Sequence, residues 1–312
     1  MKYACIDVGT NTVLLAIAEK NVRLEDILDI STITRLGEGL KKNGILSDAA
    51  MERTFLALKQ YCEIMKENNV DRFFCVGTAS LREAENSAVF LNKVRDKLGI
   101  KINVISEKEE ACYTYLSVKG DMHISDKGVI ITDIGGGSTE IIQGGPDGFV
   151  DFISLPVGSV KLTEMFVKQD PPSEKEIICL TNYVRGIFNM PFSGGKDALV
   201  GTGGTITNAA SIILGLDVFQ KEKIHGHMIS SIEIESLIER LKSIDSYGRS
   251  LIKGMEKGRE DIILQGVLLL REIMMYFGAQ QIMVNANGVR YGVLFEAFQK
   301  KQLERNMNYE RQ

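Results

Sequence analysis

The sequence predicts a duplicated α/β fold, two copies of one supersecondary unit on either side of a central cleft, and three observations predict it. A pattern of strand, acid, glycine, hydroxyl and strand occurs twice: Tyr3-Ala4-Cys5-Ile6-Asp7-Val8-Gly9-Thr10-Asn11-Thr12 at the start, and residues 129–140, Val-Ile-Ile-Thr-Asp-Ile-Gly-Gly-Gly-Ser-Thr-Glu, near the middle. Asp7 and Asp133 stand 126 positions apart (133 − 7). A strand that runs into a glycine loop, residues 73–78 and 198–204, recurs at nearly that offset, with Gly77 and Gly201 separated by 124 (201 − 77). Helix-capping serines, Ser47 and Ser173, again lie 126 apart (173 − 47). Three features in one order at one offset argue for a repeated unit. Two such halves face to face would set Asp7 and Asp133, each at a strand end, on opposite walls of one site.

Size and composition agree with that division. A chain of 312 residues suits two domains of about 120–180 residues each. The expected boundaries are 1–120 for the N-terminal domain, joined by a C-terminal helix at about 293–312, and 121–292 for the second. With 44% hydrophobic and 25% charged residues, the chain has the make-up of a soluble globular enzyme. No secretory leader follows Met1-Lys2, and no apolar run approaches the ~18 residues of a membrane span. Five unclustered cysteines point to reduced thiols and a cytoplasmic location. The net charge of −4 argues against broad nucleic-acid binding, yet a local cleft can still be positive.

Along the chain, the opening hairpin leads to a strand over 27–35 that ends in Arg35-Leu36-Gly37-Glu38-Gly39, where Arg35 could reach a phosphate or stand in solvent. Ser47 caps a helix over 48–68, with Leu56, Leu58, Tyr61, Ile64 and Met65 available for its buried side. After the short strand 73–76, Ser80 and Glu83 have capping-box spacing, which places Arg82 in a first helical turn. The helix dipole disfavours a cation there unless an anion is near, so Arg82 is either a phosphate ligand or a surface ion pair. A strand over 101–105 precedes Ser106-Glu107-Lys108-Glu109-Glu110, in which Ser106 and Glu109 form another capping box. Glu110 borders the face of Ala111, Thr114 and Val118 and can look into a cleft; it is the candidate general base, the plain alternative being that it complements the dipole. Polar residues 119–127 mark the linker.

The central turn suits phosphate. Gly135, Gly136 and Gly137 lack a Cβ, so the backbone can take positive φ and aim its N–H groups at one anion site. Ser138 and Thr139 add hydroxyl donors. Carboxylates repel phosphate, so Asp133 and Glu140 make sense with a hard cation between them and the phosphate oxygens, Mg²⁺ ahead of another divalent ion, and Asp7 holds the matching place in the first half. The plain alternative is a tight hairpin with incidental polar residues, which the repetition disfavours. Further on, a strand over 149–156 leads to Gly158-Ser159-Val160, an echo of Gly37-Glu38-Gly39, and Ser173 with Glu176 forms a capping box. Gly201-Thr202-Gly203-Gly204-Thr205 opens a helix, as a phosphate or nucleotide-edge site or simply a close strand-to-helix crossing. His225-Gly226-His227 would share a face in a strand, but no further ligand stands near for zinc. Helices over 231–244 and 259–277, a strand over 281–285 and a terminal helix to about 305 complete the chain, with 306–312 frayed.

Together, Asp7-x-Gly9-Thr-Asn-Thr, Gly77-Thr-Ala-Ser-Leu-Arg-Glu-Ala, Ser106 through Glu110-Ala111, Asp133-Ile-Gly-Gly-Gly-Ser-Thr-Glu140 and Gly201-Thr-Gly-Gly-Thr resemble the exopolyphosphatase and guanosine pentaphosphate phosphatase (Ppx/GppA) family, in family order and over nearly the whole chain. The resemblance implies an α/β fold of duplicated ribonuclease H-like domains, of the actin and sugar-kinase type. It implies that Glu110 is the catalytic glutamate, that Asp133 and Glu140 sit at the phosphate and Mg²⁺ site, and that Asn11, Arg82, Gly136, Gly137 and Ser138 contact phosphate. Thr10 in the first turn and Gly203 and Gly204 in the second loop join these as expected phosphate-binding positions. The implied activity is release of orthophosphate from the end of inorganic polyphosphate, with guanosine pentaphosphate as the alternative substrate; no nucleic acid or membrane is expected as partner, and a homodimer is the assembly considered. Two departures stand out: Thr10 and Thr12 replace serines, and a Ser-Asp-x-Gly-Leu-Arg-Glu-Gly pattern reads Asn285-Ala-Asn287-Gly288-Val-Arg290-Tyr291-Gly292, two acids short around Arg290. The added helical region of longer relatives does not follow, so processive action on long polymer is not implied. Outside this class, a small-molecule kinase of the same superfold and a non-catalytic polyphosphate or nucleotide sensor are the rivals.

Overall fold

The computed structural model describes the chain except residues 21–23, 122–127, 146–147, 190–191, 193–197 and 310–312, and gives only the backbone of Lys20, Leu24 and residues 300–309. Two compact units emerge, Met1–Asp121 with Asn287–Gln312, and Met122–Ala286. Most of the polar stretch expected to form the linker lies outside the described residues, and its first part, Lys119 to Asp121, still belongs to a helix.

The first unit is built on β1 (Lys2–Val8), β2 (Thr12–Lys20), β3 (Leu24–Ile33), β4 (Arg72–Gly77) and β5 (Asn103–Val104), in the order β3-β2-β1-β4-β5. The first three strands form an antiparallel meander, and β4 and β5 continue the sheet in parallel. The second unit is built on β6 (Val129–Ile134), β7 (Thr139–Gly145), β8 (Gly148–Leu155), β9 (Ala198–Thr202), β10 (Met228–Ser230) and β11 (Gln281–Val284), in the order β10-β11-β9-β6-β7-β8. Read from the meander outward it repeats the first sheet, three antiparallel strands and then two parallel ones, with β10 added at the edge.

The register carries the repeat to single residues. Gly9 N donates to Thr12 O at 3.0 Å and Gly135 N donates to Ser138 O at 3.1 Å, the same turn bond 126 positions on. The offset of 124 between Gly77 and Gly201 also has a structural cause. Asp7 pairs with Val76 and Asp133 with Thr202, so Gly201 falls two residues earlier in its ladder than Gly77 does. A slip of two residues preserves which face each side chain occupies. Both glycines accordingly make room for a pair of apolar side chains, Leu81 and Ile102 at Gly77, Ile206 and Ile282 at Gly201.

Most helices follow their sequence signals. Ser47 caps the helix Asp48–Glu67, and Ser173 and Ser230 close full capping boxes with Glu176 and Glu233. Along Asp48–Glu67, Leu58, Tyr61 and Met65 are buried as expected, whereas Leu56 is exposed because the 3.6-residue period carries it to the outer face. Ser80 does not cap a helix: it lies buried inside the short helix Ala79–Glu83, whose N-cap is Thr78, so Arg82 stands in a last turn rather than a first. His225 and His227 do not share a strand, because His225 ends the helix Lys221–Ile224 and Gly226 turns the chain with φ +78°. The terminal helix Val289–Tyr309 runs through most of the stretch expected to fray, and residues 310–312 lie outside the described residues.

The first sheet is covered on one face by a core that includes Ile6, Leu15, Leu58, Phe90 and Val94, and on the other by Val289, Tyr291, Val293 and Leu294 of the C-terminal helix. That packing, with Arg290 and Tyr291 hydrogen-bonded to Asp29 of β3, is why the segment 287–292 goes with the first unit, although the sequence suggested it closed the second. Among the described residues, no helix is long and apolar enough to cross a membrane.

Candidate active site

In the first unit, the carboxyl end of β1 delivers Asp7, and the turn after it carries Thr10 and Asn11, all three buried. A second segment folds onto this turn: Thr34 N and Arg35 N donate to Asn11 O at 3.0 and 2.9 Å, and Gly37 N donates to Thr10 O at 2.8 Å. Arg35 takes φ +51° to make that approach. Its backbone therefore has a role in shaping the turn whatever its guanidinium does.

Beside this turn the sequence-predicted base and phosphate ligand meet. Arg82 Nη1 donates to Glu110 Oε2 at 2.7 Å and to the Ile105 carbonyl at 2.9 Å. Glu110 lies in the first turn of the helix Glu107–Asp121 and is buried, and the Ser106–Glu109 capping bonds, 2.8 to 3.2 Å, fix that helix start. Both hydrogen bonds of Arg82 use one nitrogen. Its Nε and Nη2 make no hydrogen bond or ion pair with the described residues, and this is the edge of the fork that suits a phosphoryl group.

The second unit holds the matching turn with different equipment. Gly135 O accepts from Ser159 N at 3.0 Å, and Gly136 O accepts from Val160 N and Lys161 N at 3.0 and 3.2 Å, so the first turn of the helix Ser159–Phe166 takes up the carbonyls. Gly158 makes this possible, since a Cβ there would lie 2.5 to 2.7 Å from the backbone of Gly135 and Gly136. Gly158 thus does for this turn what Gly37 does for Thr10, as the sequence echo suggested. The N–H groups of Gly136, Gly137 and Ser138 donate to no acceptor among the described residues, and successive backbone donors left over in a turn are groups that can bind an anion. None of the three glycines takes positive φ, contrary to expectation, and the backbone of Gly135 and Gly136 is instead closely approached by Gly158.

Asp133 and Glu140 stand directly opposite each other in the β6–β7 ladder. Residues so placed project from the same face, and like charges there are destabilising unless something offsets them. Glu140 is buried and accepts from Ser154 Oγ at 3.0 Å. Two opposed carboxylates with hard oxygen donors fit Mg²⁺, which keeps several waters and takes one or two protein carboxylates with phosphate oxygens as the remainder. Among the described residues no group of three or more His, Cys, Asp or Glu forms a metal cage. Asp7 belongs to the first unit, and its cross-strand neighbour is Leu14, where the second unit has Glu140.

Gly203 and Gly204 complete the second unit's set. Gly203 takes φ +91° and ψ 161°, and a Cβ there would lie 2.6 Å from Asp133 Oδ1 and from the Ile134 carbonyl. The second glycine loop is thereby packed on the acid of the first. Gly204 opens the helix Gly204–Ile213, and the Arg259 guanidinium lies over it, leaving no room for a side chain. Arg259 is buried and paired with Glu256. No local pattern marks this cation, since its place depends on a turn more than fifty residues away folding back on the loop.

Repeated sheets of this order, each closing its central hairpin with a glycine turn behind an aspartate, define a duplicated ribonuclease H-like protein of the actin type. The profile of the Ppx/GppA phosphatase family matches residues 15–301, and the chain belongs to that family. It is 33% identical over 315 residues to a bifunctional 3-dehydroquinate synthase/phosphatase of Fusobacterium nucleatum, a match that takes in 96% of this chain but only 47% of that protein. The chain thus spans about half the length of that relative. It is 27% identical to exopolyphosphatase 2 of Mycobacterium tuberculosis, over 94% of this chain and 97% of that one. The crystal structure of the Aquifex aeolicus Ppx/GppA family member superposes with a TM-score of 0.80 at 33% identity, covering 96% of this chain and 98% of its own.

Proposed function

We propose that the chain is an exopolyphosphatase, which cleaves the terminal phosphoanhydride of inorganic polyphosphate by in-line attack of water. The observation that carries the reading is the Arg82–Glu110 ion pair, a buried carboxylate and a guanidinium 2.7 Å apart with the far edge of the guanidinium left for an anion. Glu110 takes a proton from the attacking water as its oxygen bonds to the terminal phosphorus. Arg82, anchored through Nη1, turns Nε and Nη2 to the phosphoryl oxygens and so ties the base to the group being attacked. In the first unit the turn of Thr10 and Asn11 stands with this pair as a further phosphate-binding element, and in the second the N–H groups of Gly136, Gly137 and Ser138, with the hydroxyl of Ser138, form a phosphate-binding turn of their own. The anhydride bond breaks, orthophosphate leaves, and the shortened chain departs as an anion. Asp133 and Glu140 would hold Mg²⁺, Asp7 is the corresponding acid of the first unit, and the ion when bound would offset negative charge on the reacting phosphates.

All these groups address the terminal anhydride, which polyphosphate and guanosine pentaphosphate share, so the pentaphosphate is the second substrate to test. Orthophosphate release in the presence of Mg²⁺ from the two compounds side by side decides between them. Faster release from polyphosphate is expected. Faster release from the pentaphosphate would reverse the assignment, and tight binding with no release from either would make the protein a sensor.

A further inference from the structure

The departure noted around Arg290 has its answer in the first unit. Asp29 of β3 accepts Arg290 Nε on Oδ1 at 3.0 Å, Arg290 Nη2 on Oδ2 at 2.8 Å, and the Tyr291 hydroxyl on Oδ2 at 3.1 Å. Arg290 is buried, and the acid that neutralises it comes from a strand 261 residues earlier. A buried pair of this kind commonly contributes no more stability than apolar residues of similar volume. What it does supply is geometry, because a two-pronged guanidinium–carboxylate bond fixes both direction and distance. Here it fixes where the C-terminal helix Val289–Tyr309 starts on the sheet.

That start bears on Glu110. Gly292 lies against the backbone of Tyr113, where a Cβ would be 2.5 Å from the carbonyl carbon and 2.7 Å from Cα. Tyr113 is three residues beyond Glu110 on the same helix. Gly120 of that helix lies against the Phe295 ring, and Asn287 Nδ2 donates to Asp121 Oδ2 at 2.7 Å. The helix that carries Glu110 is seated on the C-terminal segment at three places, and Asp29 seats that segment on the sheet.

We propose that Asp29 and Arg290 are positioning residues for Glu110, acting through the close contact between the two helices. The inference rests on the phosphohydrolase reading, in which Glu110 must meet a water to within a fraction of an ångström; a misplacement of about 1 Å can cost about 10²-fold in rate. The test is a mutant cycle in the orthophosphate assay, using the full chain. Asp29→Leu with Arg290→Met replaces the pair by apolar residues, and the double variant is expected to melt near the wild type, keep KM within about two-fold, and lose about ten-fold or more in kcat. Made on top of Glu110→Gln, the same pair of substitutions should produce no further loss, because residues that act through one group are not additive. Should the apolar pair fail to fold, Arg290→Lys, which keeps the charge and loses the fork, takes its place in the cycle with the same expectation. A wild-type kcat in a folded pair variant, or losses that simply multiply with that of Glu110→Gln, would overturn the proposal. If Glu110→Gln by itself leaves the rate unchanged, it is the assignment of the base that fails, and the two failures are told apart.

Discussion

Glu110→Gln is expected to lower kcat for orthophosphate release by about 10³-fold, the middle of the range for a general base, while KM moves by only a few-fold. The amide keeps the size of the carboxylate and can still accept from Arg82 through its oxygen, so the hydrogen bond of 2.7 Å survives in weakened form. What is lost is the ability to take a proton from water. Because Glu110 is buried at a helix start already fixed by Ser106 and Glu109, the fold should be little affected, and unchanged melting would separate a chemical from a structural loss. A variant that releases phosphate at the wild-type rate would remove Glu110 from the mechanism.

The second large effect is expected at Gly203. Its φ of +91° with ψ of 161° lies in a region that is essentially open to glycine alone, at a cost of about 1–3 kcal/mol for another residue. Alanine there also drives its Cβ to 2.6 Å from Asp133 Oδ1 and from the Ile134 carbonyl, and overpacking of this kind costs about 1–3 kcal/mol more. Gly203→Ala should therefore lose about 3 kcal/mol of stability in urea unfolding and displace the carboxylate that would hold Mg²⁺. The loss of phosphate release should exceed what the fall in folded protein accounts for, with a raised Mg²⁺ requirement. Gly99→Ala provides the control. That glycine takes φ +69° but has nothing within 4 Å of its missing Cβ, so only the backbone penalty of about 1 kcal/mol should register.

Much of this was legible in the residues, and the reason is that the turns are local. A glycine turn behind an aspartate, flanked by apolar runs, can be read over a dozen positions, and the recurrence of the pattern at 126 exposed the duplication without any structure. Capping boxes at Ser106 and Ser173 were equally local, and a residue pair three apart sufficed to place the helix starts. The Ser80–Glu83 pair has the same spacing, but tertiary packing buries Ser80 and hands the cap to Thr78. The site's long-range partners left no trace of that kind. Arg82 and Glu110 each carry a local signal, yet their pairing across 28 residues depends on the segment after β5, whose Ile105 carbonyl accepts from Arg82, lying alongside the short helix. Arg290 is short of acids in its own segment because its partner stands on β3, and no local pattern marks Arg259 because the loop it covers is distant in sequence. Ladder pairing and side-chain reach decide such contacts, and neither has a period that a sequence displays.

Hydrolysis carried out in water labelled with a heavy oxygen isotope tests most directly whether water, activated in this site, attacks the terminal phosphorus. Every orthophosphate released in a single turnover should carry one labelled oxygen, and the shortened chain should carry none. Label found on the shortened chain, with orthophosphate unlabelled, would mean attack at the penultimate phosphorus and would contradict the assignment of Glu110, Arg82 and the glycine turns to the terminal group.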